Sequence, residues 1–193
     1  MGKTTIKMIL EELINVYDED FDKFRWNVGS GFDIIKLILN GIDVADPIAM
    51  DVIKNDYNCN QHYEIYKGLE RELDVSAYAN PLFHEYQMRE ILAGLIKGVD
   101  VSIYADPKFN WSQMYQIRNG LITGVDVSIY ADPKFDSTQM CEIRKGLNEG
   151  VDVSIYADPK LDAKYMFVLR EGLLMSISEP VMKSIRDEMM KTL

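Results

Sequence analysis

VDVSIYADPK occupies residues 99–108, and the same ten residues return unchanged at 125–134 and 151–160, 26 positions apart each time. The match runs past the decapeptide. Residues 87–112, 113–138 and 139–164 align without a gap, and each neighbouring pair agrees at 18 of 26 positions. Self-similarity at a fixed period of this length marks units that bury a core only by stacking on one another. The expected fold is all-α: a helical N-terminal region, then an α-solenoid of 26-residue long-helix/short-helix repeats, then a C-terminal capping helix.

One unit shows why. Asp136-Ser137-Thr138-Gln139 sets an N-cap residue three positions before a glutamine, a capping box that satisfies free amides at a helix start. Met140, Ile143 and Leu147 then fall on one stripe, and Gly150 supplies a left-handed stop, which predicts a helix of about eleven residues. Gly146 sits where two backbones approach closely. Asp152 or Ser154 caps a second helix of about one and a half turns, cut short by Pro159. The competing expectation is a strand, since Val151, Val153 and Ile155 alternate with Asp152 and Ser154.

Outward from these copies, residues 61–86 read as a degenerate first copy that keeps Gly68, Asp74, Val75, Ser76, Tyr78 and Pro81 in register. Residues 165–178 form a half copy. The expected domains are therefore 1–60, a helical N-terminal region; 61–178, the repeats; and 179–193, the capping helix. Ser178-Glu179-Pro180 starts that last helix, with Val181, Ile185, Met189 and Leu193 as its apolar stripe. Before residue 60, apolar spacing predicts helices near 4–17, 32–39 and 47–54.

Differences between copies carry the functional expectation. Within the long helix the changing positions are Arg89, Ala93 and Lys97; Tyr115, Asn119 and Thr123; Cys141, Lys145 and Glu149; Phe167, Glu171 and Met175. These recur at i, i+4 and i+8, a single stripe away from the apolar one. In repeat proteins a constant framework with a changing stripe reads a partner, while the plainer alternative is a face that touches only water. A constant polar set comprises Arg118, Arg144 and Arg170, Asp106, Asp132 and Asp158, and Lys108, Lys134 and Lys160. These predict charge ladders in which each Arg bridges to an Asp or to helix-end carbonyls of the adjacent unit, or else a row of hooks for a charged partner. Tyr78, Tyr104, Tyr130 and Tyr156 are expected in the core.

Composition narrows the classes. With 21 Lys+Arg against 31 Asp+Glu, the net charge is −10, which argues against direct nucleic-acid binding and favours basic partners. Cys59 and Cys141 share no CxxC or Cys/His spacing, so a reducing cytoplasm without disulfides or zinc is expected. Neither a membrane span nor a leader is expected. Gly2-Lys3-Thr4-Thr5 lacks the first glycine of a P-loop, and Asp18, Asp20 and Asp22 lack the glycine and final glutamate of a calcium loop. His62 and His84 have no second ligand at helical spacing, and Ser102, Ser128 and Ser154 read as caps, not nucleophiles. No catalytic residue, metal site or cofactor is expected.

The pattern QMxxIRxGLxxGVDVSIYADPKFD resembles a repeat of proteins from Firmicutes mobile elements, namely phages, plasmids and integrative elements. The likeness covers residues 61 to about 173 and implies habitat more than activity. By analogy with anti-CRISPR proteins, it implies a protein that binds and inhibits a host defence complex. Together these features predict a non-catalytic protein-binding module whose partner is a host protein, a nucleic-acid-binding defence complex in the finer version. The alternative is a nucleic-acid-handling accessory factor that uses the Arg and Lys ladders.

Overall fold

Asn110 and Asp136 begin helices as their side chains dictate. Asn110 accepts from the Gln113 N–H at 2.9 Å, and Asp136 accepts from the Thr138 and Gln139 N–H groups at 2.7 and 2.8 Å. The glutamines complete both capping boxes, their Oε1 atoms accepting from the Asn110 and Asp136 N–H groups at 2.8 Å. The computed structural model describes residues 57–69 and 71–191. Among them are six helices: α1 (Cys59–Leu69), α2 (Glu85–Lys97), α3 (Trp111–Thr123), α4 (Ser137–Glu149), α5 (Ala163–Leu174) and α6 (Glu179–Met190). Four 3-10 turns separate α1 through α5, and no strand occurs among the described residues. The helices expected near 4–17, 32–39 and 47–54 lie outside the described residues.

The long helices run 13 residues where about eleven were expected. Their stop is the expected one. Gly124 and Gly150 adopt φ of 77° and 75°, and the Val125 and Val151 N–H groups reach back to the carbonyls of Gly120 and Gly146 at 3.1 Å. At the matching places outside the three regular copies, Glu72 and Ser176 hold the same left-handed backbone with φ of 56° and 61°.

The second helix of each unit is shorter than expected. It is a single 3-10 turn: Val75–Ala77, Val101–Ile103, Val127–Ile129 and Val153–Ile155. Asp74, Asp100, Asp126 and Asp152 cap these turns through the amide two residues on, so the aspartate is the cap and the serine is not. The Ser102 and Ser128 hydroxyls donate to their carboxylates at 2.6 Å and hold them below the usual carboxylate range. Each turn then ends because Tyr104, Tyr130 or Tyr156 leaves helical geometry at φ near −132°.

That departure drives the tyrosine inward. Tyr78, Tyr104, Tyr130 and Tyr156 are fully buried, and burial pushes the phenols of Tyr78, Tyr130 and Tyr156 up in pKa. Their hydroxyls donate to helix carbonyls 14 residues earlier: Tyr78 to Glu64, Tyr130 to Gln116 and Tyr156 to Glu142, at 3.0, 3.2 and 3.4 Å. The space for this comes from the mid-helix glycine. A Cβ on Gly146 would stand 1.8 Å from Tyr156 Oη and 2.9 Å from Val153 Cγ1. The close approach at Gly146 is thus to a phenol, not to a second backbone.

The chain divides between Leu92 and Ala93, within α2, into two compact units. In the described part of the first, α1 packs against its own 3-10 turn around buried Ile65, Val75 and Tyr78. In the second, α3 packs on α4, α4 on α5 and α5 on α6, with Met114, Ile117, Met140, Ile143, Met166 and Leu169 buried between them. Each such side chain contributes about 1.5–3 kcal/mol.

Helix α6 closes this unit against α5 and the last 3-10 turn. Its anchor differs from the expected stripe. Met182 is buried and fills the space over Gly172, whereas Val181 is 49% exposed and Ile185 and Met189 are half-buried. Leu193 lies outside the described residues.

Gly146→Ala would ordinarily favour a helix by about 1 kcal/mol. Here overpacking against the phenol costs about 2 kcal/mol net, read as a lower urea midpoint. Adding Tyr156→Phe to the alanine variant removes the nearest clashing atom and recovers part of the loss, a coupling that a urea double-mutant cycle detects.

Candidate protein-binding face

The changing stripe begins one turn earlier than its sequence pattern suggested. Trp111, four residues before Tyr115 on α3, is 50% exposed, and Tyr115 is 43% exposed. The i, i+4 step carried backward from Tyr115 would have found it. Asn119 is half-buried, and Thr123 is exposed, its hydroxyl donating to the Asn119 carbonyl at 3.1 Å. On α4, Cys141 and Lys145 are half-buried and Glu149 is exposed. On α5, Phe167 and Met175 are exposed and Glu171 is half-buried. In α2, Arg89 and Lys97 are exposed and Ala93 is half-buried.

Arg170 ties several of these together. Its side chain is buried, and its guanidinium reaches Glu142 at 3.0 Å and both Glu149 and Glu171 at 2.7 Å. It also lies 5.4 Å from the Phe167 ring centre. Burial works to lower its pKa, but the hydrogen bonds to Glu149 and Glu142 outweigh it and raise the value. Glu142, buried as well, takes Lys145 Nζ at 2.7 Å on its other oxygen. Nothing in the sequence around Glu142 announces a partner 28 residues on, so its role emerges only from the fold. Two stripe residues, Glu149 and Glu171, therefore hold one buried guanidinium, and a third, Lys145, joins the cluster through Glu142.

The other ladder members are arranged differently from the expected Arg–Asp bridges. Arg144 donates from Nε to Gln116 Oε1 at 3.0 Å, again 28 residues back, and Arg118 lies over the Tyr115 ring at 5.3 Å. In the first unit Arg89 meets Glu64 at 3.1 Å and lies 5.2 Å from the Tyr86 ring centre. Asp106, Asp132 and Asp158 accept from the N–H of Lys108, Lys134 and Lys160, two residues on, at 2.9 to 3.0 Å. They are turn-formers. Further oxygens of Asp106 and Asp132 face the Lys108 and Lys134 ammonium groups at 3.7 Å.

An open groove of about 650 Å³ runs beside Phe167, lined by Asp136, Thr138, Glu142, Asp162 and Lys164 at the starts of α4 and α5. Asp136 and Asp162 are occupied as helix caps, and Glu142 holds Arg170 and Lys145. Among the described residues no three His, Cys, Asp or Glu side chains gather as a metal site, and no helix is long and apolar enough to cross a membrane. The side chains of Cys59 and His62, and residues 2–22 with the P-loop-like and calcium-loop-like stretches, lie outside the described residues. His84 is exposed, 3.3 Å from Glu85 and stacked on Tyr86. Comparison with family models, with curated proteins and with solved structures finds no match to this chain.

The buried cluster separates structural from peripheral carboxylates. Glu142→Ala removes the buried carboxylate that Arg170 Nε and Lys145 share, leaves Arg170 only its outer partners Glu149 and Glu171, and costs about 2 kcal/mol in urea unfolding. Glu171→Ala removes a more exposed partner and costs no more than about 0.5 kcal/mol.

Proposed function

We propose that the chain is a non-catalytic protein-binding module. In this reading residues 61–178 stack as an α-solenoid of 26-residue units, between a helical N-terminal region (1–60) and a capping helix (179–193), and the changing stripe grips a host protein. One observation carries it. Within the long helices the Gln, Met and Ile shared by the regular copies are buried, while the stripe positions are exposed or half-buried and include large apolar side chains: Tyr115, Phe167 and Met175 are 43, 47 and 73% exposed. Exposed aromatic and methionine side chains are the groups that anchor protein interfaces.

Charge refines the choice of partner. Residues 93–193 hold 12 Lys+Arg against 14 Asp+Glu, while residues 1–92 hold 9 against 17. The acidity thus belongs to the first unit, and recognition through Tyr115, Phe167 and Met175 is chiefly apolar. The alternative, a nucleic-acid factor using Arg ladders, loses support because Arg170 is engaged by three carboxylates and Arg144 by Gln116. The resemblance to mobile-element repeat proteins supports the finer version, inhibition of a defence complex in the cytoplasm of a bacterial host.

The test is capture from a nuclease-treated bacterial lysate on the immobilised full chain. The expected result is a specific protein whose recovery falls at least about tenfold with Tyr115→Ala/Phe167→Ala/Met175→Ala, the variant's circular dichroism being unchanged. Equal recovery contradicts the stripe as the binding face.

A further inference from the structure

Neighbouring copies differ at 8 of 26 positions, yet the decapeptide does not change. Most of its residues have a structural task. Val101 and Val127 are buried, Tyr104 and Tyr130 fill the core, and Asp100 and Asp126 cap their turns. In the first two regular copies the Ile and Lys side chains have the least of one. Ile103 and Ile129 are 38% and 37% exposed, and the side chains of Lys108 and Lys134 are 78% exposed, each touching its own Asp at 3.7 Å.

The copy at residues 61–86 is an internal control. It places Ala77 where the others have Ile, and Leu82, 73% exposed, where they have Lys. The turn survives both changes. Asp74 still accepts from Ser76 N at 2.9 Å, Asn80 Oδ1 from Leu82 N at 3.0 Å, and Tyr78 still reaches the Glu64 carbonyl. The turn's backbone therefore requires neither the isoleucine nor the lysine; α6 covers Ile155, and the constancy of Ile103, Ile129, Lys108 and Lys134 calls for a cause outside the turn.

We propose that the edge formed by Ile103, Lys108, Ile129 and Lys134 is a contact surface for a second copy of this chain, the two edges running antiparallel. The charge pattern selects that occupant. Each decapeptide exposes one lysine beside two aspartates, so a polyanion meets carboxylates along with every ammonium group. A surface with both signs at a constant period is complementary to itself when turned about a two-fold axis: Lys of one copy faces Asp of the other, around an isoleucine centre. The second unit, with 12 cations and 14 anions, sets little charge barrier to this. The third copy shows the same turn accepting cover from mixed apolar and charged side chains. There α6 leaves Ile155 only 1% exposed, and Arg186 Nη1 donates to its carbonyl at 3.4 Å.

This surface shares no residue with the changing stripe, so its failure leaves the proposed function standing, and the reverse. The experiment is sedimentation velocity of the full chain from about 1 to about 200 µM. It compares the natural sequence with Ile103→Ala/Lys108→Leu/Ile129→Ala/Lys134→Leu, the residues that the first copy uses at these places. Expected are a concentration-dependent dimer for the natural chain, at least about tenfold weaker association for the variant, and a dilute-solution Tm unchanged within about 2 °C. A chain monomeric throughout, or equal association of the natural chain and a folded variant, overturns the proposal. So does tight binding of a labelled 20-base-pair DNA, lost in the variant, without self-association. Lys108→Leu/Lys134→Leu alone gives the same decision should the quadruple variant fail to fold.

Discussion

A buried glutamine amide at the start of a helix governs the distance along the chain to the next helix. Gln113 accepts from Asn110 N through Oε1, then donates from Nε2 to the carbonyls of Pro133 and Phe135 at 3.2 and 2.6 Å. Gln139 does the same with Asp136, Pro159 and Leu161, and Gln61 with Asn58, Pro81 and Phe83. Every donor on the amide is used, so its desolvation is compensated. One side chain thus closes its own helix start and holds the loop that leads to the next. In each case the loop that it holds returns 20 to 22 residues later, the same separation in copies whose other side chains differ. Tyr165 stands at the corresponding place in α5, and there the 26-residue pattern ends.

Once the loop is held, the tyrosine and glycine settle the interior. The phenol enters because the 3-10 turn ends at it, its hydroxyl finds a carbonyl inside the preceding helix, and the glycine one turn on leaves room. Helix sides are then divided: Met and Ile face the neighbouring helix, and the i, i+4, i+8 positions face outward. Because the inner face is specified by Gln, Tyr, Gly, Met and Ile, exposed outer positions such as Tyr115, Phe167 and Met175 can change at little cost to folding. That separation of duties is the physical basis for reading the outer face as recognition.

Much of this was legible in the sequence. Asp136 and Gln139 announce a capping box, Gly150 announces the stop, and Tyr156 amid Ile and Ala announces burial, because each depends on neighbours within a few residues. What stayed hidden depends on distant ones. The donor half of the Gln139 amide meets carbonyls 20 and 22 residues on, and Arg170 meets Glu142 28 residues back, across a helix pair whose rotation sequence alone does not supply. Likewise Val181 and Met182 are adjacent apolar residues about a 100° step apart on α6. Only the gap above Gly172 decides that Met182 is the one buried. The length of the 3-10 turn was overestimated because its end is set by the tyrosine's need to enter the core, not by Pro159.

The most direct test of the clamp is urea unfolding of Gln139→Leu, which keeps the side chain's bulk and removes its amide. The Asp136 N–H and the carbonyls of Pro159 and Leu161 then lose their partner, and a loss of about 3 kcal/mol is predicted, with faster amide exchange at the start of α4. A loss below about 0.5 kcal/mol with exchange unchanged would show that the helices keep their spacing without it, and would contradict the account.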